Sequence, residues 1–321
     1  MAILAGIDEA GLGPVLGPLV VSGVVMEIPD TAVDQCLWKL LATSCSREMQ
    51  KKRRKLAILD SKKLHKSAAG LGALERSALV SLATFGVQPA NVAELLVGIA
   101  PQANDAFHAY DWYPFADLPL PISAEAGDVG TQRNAVQRDM KLHDITPLAI
   151  MSEPLPEGHY NELIDRTRNK AVVLTGQVLR IVDRIIRLSL GQKHIVIHVD
   201  RLGGRRHYRE PLSRALPGFD MQVLEASETR SAYRMTRNDQ IVDIDFGTKG
   251  DATQFVVAMA SIVSKYLREV SMHAFNRYWC ARLETLKPTA GYYQDAQRWL
   301  REASDTIAEM GVPRSRLVRQ R

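Results

Sequence analysis

The 321-residue chain reads as an α/β protein: a mixed sheet with helices on both faces, plus a large insertion. Three observations predict this. Two short β-branched runs, Ile3 to Asp8 and Leu19 to Met26, are joined by a Gly/Pro turn and read as an opening hairpin. After Pro147, strand-like runs alternate with long stretches of helical periodicity. The charged fraction of 24% and the apolar fraction of 46% are those of an ordinary globular protein.

Taken in order, the opening hairpin is followed by a polar stretch from about Asp30 to Leu59, with a basic run at Lys51, Lys52, Arg53, Arg54 and Lys55. Such a run is a solvated loop or helix face, or else a contact to a phosphate backbone. A helix is expected around Ser67 to Phe85. Residues 87–144 read as an insertion of unknown role, dividing a body formed by residues 1–86 and 145–321. The insertion centres on Tyr110, Trp112, Tyr113, Pro114 and Phe115, aromatics suited to packing a loop onto the body or to stacking on bases. Pro147 to Met151 reads as a strand, and Tyr160 to Leu190 as a helix through Leu163, Val172, Leu174, Val178, Ile181, Ile185 and Leu188. His194 to Val199 is a strand ending at Asp200, and Met221 to Leu224 is another. Ala252 to Val270 reads as an apolar helix and Asp295 to Met310 as an amphipathic one.

A formal charge of +5 and a pI near 9.1 suit an acidic partner such as nucleic acid, or simply a mildly basic soluble protein. Cys36, Cys45 and Cys280 are odd in number and widely spaced, which argues against a disulfide framework or structural zinc and suits a reducing compartment. The uncharged stretch from Ala10 to Met26 is broken by Gly13, Pro14, Gly17 and Pro18 and is too short to span a membrane. A secretory leader begins with basic residues, whereas Asp8 and Glu9 stand here, so the expected location is cytoplasmic. No obligate protein partner is evident.

The acids carry the chemistry. Asp8 and Glu9 close the first strand, Asp200 closes the run IVIHVD, and Asp251 opens the apolar helix in GDATQFVV. Active sites gather at the carboxyl ends of strands in open α/β sheets. Carboxylates converging there repel unless divalent cations offset them, and Mg²⁺ or Mn²⁺ suits such oxygen donors. Each acid also has a plainer role: a solvated strand end for Asp8 and Glu9, the start of a turn for Asp200, and a helix N-cap with Gln254 as partner for Asp251.

Read together, the strings GIDEAGLGPVLGPLVV, DSKKL (Asp60 to Leu64), IHVD and GDATQFVVAMASIVSKYLRE resemble, in order, the signature blocks of the ribonuclease HII family. The segment GYYQDAQRWLREASDTIAEMGVPRSR resembles its closing block. The resemblance implies a ribonuclease H-like fold and a two-metal endonuclease using Mg²⁺ or Mn²⁺. Its substrate would be the RNA strand of RNA–DNA hybrids, or ribonucleotides embedded in DNA. Matching residue to residue, it makes Asp8, Glu9, Asp200 and Asp251 the catalytic, metal-binding acids and puts Ser61, Lys62 and Lys63 near substrate phosphates. It makes Tyr292 the ring that stacks at the RNA–DNA junction, with Tyr293 in the adjoining register. Because neighbours on a strand face opposite ways, Asp8 takes the central bridging role and the share of Glu9 stays open.

Two departures stand out. Where the family has Gly-Arg-Gly, a loop that senses the ribose 2′-hydroxyl, this chain has Gly11-Leu12-Gly13; where the family closes on His-Arg, it has Ser315-Arg316. An arginine-rich region from Arg201 to Arg237, with Arg205 and Arg206 among its members, supplies replacement phosphate contacts or is a solvated hairpin. Arg314, Arg316, Arg319 and Arg321 read as a tail. The rival readings are a nuclease of this fold shifted to another nucleic-acid structure, and a nucleic-acid-binding relative without hydrolysis.

Overall fold

An apolar run from Ala2 to Ile7, buried on both faces, gives the chain a strand from its second residue, and that strand is paired along both edges inside the sheet. The computed structural model describes residues 1–49, 54–65 and 70–320. Strands β1 (Ala2–Ala10) and β2 (Leu19–Ile28) form the expected hairpin, paired antiparallel from Ala2↔Ile28 to Ala10↔Val20. Helices α1 (Gly72–Thr84), α2 (Val92–Ile99) and α3 (Ala126–Leu142) follow, then strand β3 (Thr146–Leu155). Helices α4 (Glu157–Thr167) and α5 (Lys170–Leu188) lead into β4 (His194–Asp200) and a meander of β5 (Asp220–Ala226), β6 (Arg230–Arg237) and β7 (Gln240–Gly247). Helices α6 (Phe255–Cys280) and α7 (Tyr293–Glu302) complete the main elements.

The sheet order is β3-β2-β1-β4-β7-β6-β5. β1, β4 and β7 run parallel at its centre, flanked by antiparallel strands on both sides. The expected mixed α/β sheet with helices on both faces is what forms. Alternation along β1 divides two cores. Ile3, Ala5 and Ile7 pack with Val178, Ile181 and Ile185 of α5, whereas Leu4 packs on the opposite side, in the cluster that holds Val256, Met259 and Val263 of α6. Gly6 shares that second face, where a methyl group would lie 2.3 Å from the backbone carbonyl carbon of Val256. The missing side chain lets α6 press directly onto β1.

Several expectations change in detail. The single helix expected over Tyr160 to Leu190 is two helices. Arg168 takes a left-handed conformation (φ +53°), and the Asn169 side chain accepts from Ala171 N at 2.9 Å to cap the second. The helix expected from Ala252 begins at Phe255, because Gln254 is extended, and it runs on to Cys280. The start of the helix expected at Ser67 falls outside the described residues, as do Lys51, Lys52 and Arg53 of the basic run; Lys55 donates to the Ala42 carbonyl. Tyr110, Trp112, Tyr113 and Phe115 are all buried against one another and against α6 through Phe275 and Trp279, so they pack their segment onto the body. Glu75 of α1, fully buried, accepts the backbone N–H groups of Ile122, Ser123 and Ala124 at 2.8, 2.5 and 2.7 Å, and the Tyr266 hydroxyl at 2.9 Å. Among the described residues no helix is long and apolar enough to cross a membrane.

Candidate active site

The parallel pairing of β1 with β4 is in register through Ile7↔Val199, so Asp8 and Asp200 follow side by side at the carboxyl ends of two neighbouring strands. One oxygen each from Asp8, Glu9 and Asp200 lies within 4.8 Å of the others. Parity along β1 directs Asp8 and Glu9 to opposite faces, yet the longer Glu9 side chain, one residue from the strand's end, joins the same group. Asp251 stands apart from that trio. It lies in a one-turn helix, Gly250–Thr253, whose N-cap is Lys249, so it caps neither that turn nor α6.

The acids are held by contacts from α6 and its approach. Ser264 donates its hydroxyl to the Asp8 carbonyl at 2.9 Å, and Gly250 donates its backbone N–H to Asp200 Oδ1 at 2.7 Å. Burial pushes the Asp8 carboxyl well above its ordinary range; the neighbouring Glu9 and Asp200 charges push the same way, and the Ser261 hydroxyl opposes them. Burial and then Asp200 raise Glu9 to about 7, against the pull of Lys62. Asp200 is raised by burial, with Asp251 adding to it while the Gly250 N–H opposes it; Asp251 is raised by burial and by Asp60. A set of carboxyls that resists ionisation because they are buried, and then because they crowd one another, is chemically matched to cations.

These acids line a cleft of about 570 Å³ together with Gly11, Leu12, Gly13, Ser61, Lys62, Lys63 and Tyr292. Lys62 and Lys63 are exposed on a one-turn helix, Ser61–Leu64, which Asp60 caps by accepting Lys62 N at 2.9 Å. Ser61 is buried, its hydroxyl 3.1 Å from that of Ser261. Tyr292 is 53% exposed and presents its ring at the cleft's rim. Arg205 and Arg206 lie elsewhere: Arg205 borders a separate cavity between α5 and the short helix Arg209–Ala215, and Arg206 stands 3.5 Å from Glu228.

Sequence reasoning missed Lys249, Lys265 and Arg268, cations that also line the cleft. The signal was present in SIVSKYLR, where Ser261, Ser264, Lys265 and Arg268 recur at helical spacing on one side of an otherwise apolar helix. Arg268 is buried and donates to Glu269 at 3.0 Å and to the Ala290 carbonyl at 2.8 Å. Arg319, expected in a tail, is likewise buried, and it donates to the carbonyls of Gly11 and Pro14. Gly11 itself (φ +91°) turns so tightly that a methyl group would lie 2.6 Å from the Pro18 carbonyl oxygen.

No protein-family model matches the chain, and no curated protein does. Among solved structures it is similar to ribonuclease HII of Archaeoglobus fulgidus, determined as a complex with PCNA, at 17% identity over 99% of this chain and 94% of that one, with a TM-score of 0.44. It is also similar to ribonuclease H2 of Pyrococcus horikoshii OT3, at 15% identity over 98% and 92% of the two chains and a TM-score of 0.43. A third likeness is to Bst ribonuclease HIII in complex with Mn²⁺, at 15% identity over 96% of this chain and 65% of that one, with a TM-score of 0.46.

Proposed function

We propose that this chain is a divergent ribonuclease HII-type endonuclease, hydrolysing the RNA strand of RNA–DNA hybrids or ribonucleotides embedded in DNA with two Mg²⁺ or Mn²⁺ ions. The observation that carries the reading is the grouping of Asp8, Glu9 and Asp200 within 4.8 Å at the ends of parallel strands, in a cleft edged by Lys62, Lys63, Lys249 and Lys265. Acids at the centre with cations around them suit a phosphodiester backbone that must be held beside divalent metal.

The donor set fits such ions. It consists of hard carboxylate oxygens, and Glu9 Oε2 is buried without a hydrogen-bond partner. Asp8, Glu9 and Asp200 would hold them, with Asp251 at the cleft's edge completing the set. When bound, the ions supply Lewis acidity to the attacking water and the departing oxygen. The chain's own residues do the rest. Lys62, Lys63 and the Ser61 turn hold flanking phosphates, the Gly11-Leu12-Gly13 backbone meets the ribose, and Tyr292 offers its ring to the junction. Arg205 and Arg206 would meet only the flank of a longer duplex. Residues 87–144, an insertion on this reading, brace the body. We assign the activity to the cytoplasm, where the free thiols Cys36, Cys45 and Cys280 would stay reduced.

Leu12 supports a second reading, a nuclease with a shifted substrate. It brings no charge to the cleft and packs partly against the apolar cluster of β1 and α5. One experiment separates the two: labelled RNA–DNA hybrid, a duplex with one ribonucleotide, and plain DNA, each with and without Mg²⁺ or Mn²⁺. The first reading expects metal-dependent cleavage of the RNA-containing strands alone. Equal cleavage of plain DNA favours the second, and binding without cleavage of any strand would overturn both in favour of a non-hydrolytic binder.

A further inference from the structure

Arg319 is 2% exposed, and its guanidinium satisfies only part of its donor set: Nε and Nη1 are buried without partners. Burying a cation on such terms costs stability that an apolar side chain of similar volume would not. What the guanidinium does contact is specific. Nη2 donates to both Gly11 O and Pro14 O, the two carbonyls that bracket Leu12 and Gly13. The Arg319 backbone N–H donates to Val15 O at 2.8 Å, one residue further along the same loop. Its guanidinium carbon lies 5.0 Å from the centre of the Tyr160 ring, on α4.

The segment carrying Arg319 is fastened independently. Asn161 of α4, itself buried, donates from Nδ2 to Ser315 O at 2.6 Å and to Val318 O at 2.8 Å, and accepts Gln320 N at 2.7 Å. The far side of the loop is fastened too. Val15 N and Leu16 N share Gly291 O at 2.8 and 3.2 Å, and Gly17 N donates to Glu157 at 3.0 Å. Between these fixtures stand Leu12 and Gly13, which line the cleft and whose backbone N–H groups donate to nothing among the described residues.

We propose that Arg319 is a positioning residue, one guanidinium nitrogen tethering both ends of the Leu12–Gly13 arch so that its free backbone groups keep a single shape toward the sugar of a bound strand. The consequence for ribose selection rests on the nuclease reading; the tether itself does not. Arg268 approaches the same loop from α6, but its donors go to Glu269 and Ala290, so the arch carbonyls depend on Arg319.

The test compares the full-length wild type with Arg319→Met, which keeps volume and removes the donors, and Arg319→Lys, which keeps a cation. Three quantities are read: Mn²⁺ affinity by calorimetry, amide hydrogen exchange at Val15 and Leu16, whose N–H groups are hydrogen-bonded to Gly291 O and the first of which shares a peptide with the Pro14 carbonyl, and the ratio of affinities for a one-ribonucleotide duplex and an all-DNA duplex, measured in Ca²⁺ without turnover. In Arg319→Met the Val15 and Leu16 amides should exchange roughly tenfold faster or more. The affinity ratio should fall about tenfold, as expected for loss of charge-assisted hydrogen bonds. Mn²⁺ affinity should stay within about twofold, and Arg319→Lys should recover most of the ratio. Unchanged exchange and ratio in Arg319→Met would overturn the proposal. So would failure of both variants to fold, since Arg319 would then hold the fold and not the arch. A wild type with no preference for the ribonucleotide sinks the reading of ribose selection, while the exchange data still decide whether the tether exists.

Discussion

Gly250 donates its backbone N–H to Asp200 Oδ1 at 2.7 Å, and a methyl group on Gly250 would sit 3.2 Å from that same oxygen and 3.3 Å from the Asp200 Cα. The hydrogen bond orients the carboxylate, and the glycine is what permits it. Gly250→Ala should therefore tilt Asp200 without unfolding the chain. Partners that orient metal-binding groups are commonly worth roughly 10–100-fold in affinity, so we expect a loss of about tenfold for Mn²⁺. A calorimetric titration giving wild-type affinity would show that the carboxylate's orientation does not depend on this bond.

Asp8 is crowded by Glu9 and Asp200 as well as buried. In metal-free protein, Asp8→Asn removes one of three repelling acids, so the melting temperature in chelator should rise. Cleavage should fall by roughly a thousandfold or more, because several kcal/mol of charge stabilisation goes with the ions. A variant that melts lower than wild type in chelator, or cleaves at a comparable rate, contradicts the assignment.

Burial raises both Glu9 and Glu157 from an ordinary value near 4.5 to about 7. Each binds its proton more tightly folded than unfolded. The stability they confer is therefore complete below about pH 4.5 and is lost as the pH rises through 7. Metal-free protein should unfold at progressively lower urea from about pH 5 to 7.5, with a slope of up to about 1.4 kcal/mol per pH unit for each group. Glu157→Gln should flatten that slope, whereas Mn²⁺ should offset only the part due to Glu9. A urea midpoint that is flat or climbs over this range would count against both shifts.

Lys62 and Lys63 are exposed at the cleft. Replacing each with Ala should weaken binding to every duplex and lower the log–log salt slope by about 0.9 for each phosphate no longer neutralised. Arg205→Ala with Arg206→Ala should change binding to long duplexes only, because these residues stand outside the cleft. Identical salt slopes for wild type and the lysine variants would remove Lys62 and Lys63 from the substrate groove.

How much of this was legible depended on whether a feature was local. The β1–β2 hairpin and the run ending at Asp200 were readable from short apolar, β-branched-rich runs and, for the hairpin, the Gly/Pro turn between them. Strands β6 and β7 were hidden because one face of each is charged. Arg234 pairs with Asp243 at 2.7 Å, while His194 lies 3.1 Å from that same carboxylate; His198 and Arg230 pair with Asp245 at 2.6 and 3.4 Å. Those charges cancel across strands, so the residues look like a solvated loop until register is known. The cap reading of Asp251 fails because Gly-Asp-Ala-Thr-Gln carries a capping pattern, while the chain spends that turn on a separate short helix. Parity along β1 left the share of Glu9 open, and it takes no account of a long side chain at a strand's end. The buried role of Arg319 had no local signal at all, since its partners lie 308 and 305 residues earlier.

The bond from Ser264 to the Asp8 carbonyl joins residues 256 apart, and the pairing of β1 with β4 brings together strands from opposite parts of the chain. Interactions of such range form late and slowly, because the loop between them must first be closed. Repulsion between Asp200 and the adjacent Asp8 and Glu9 is thus felt only once β1 and β4 pair. A chain in which β1 and β4 have not paired holds Asp200 far from Asp8 and Glu9, so the group of three that would hold metal is incomplete. Conditions that screen or bind those acids should act on the last steps of assembly and leave the early hairpin untouched.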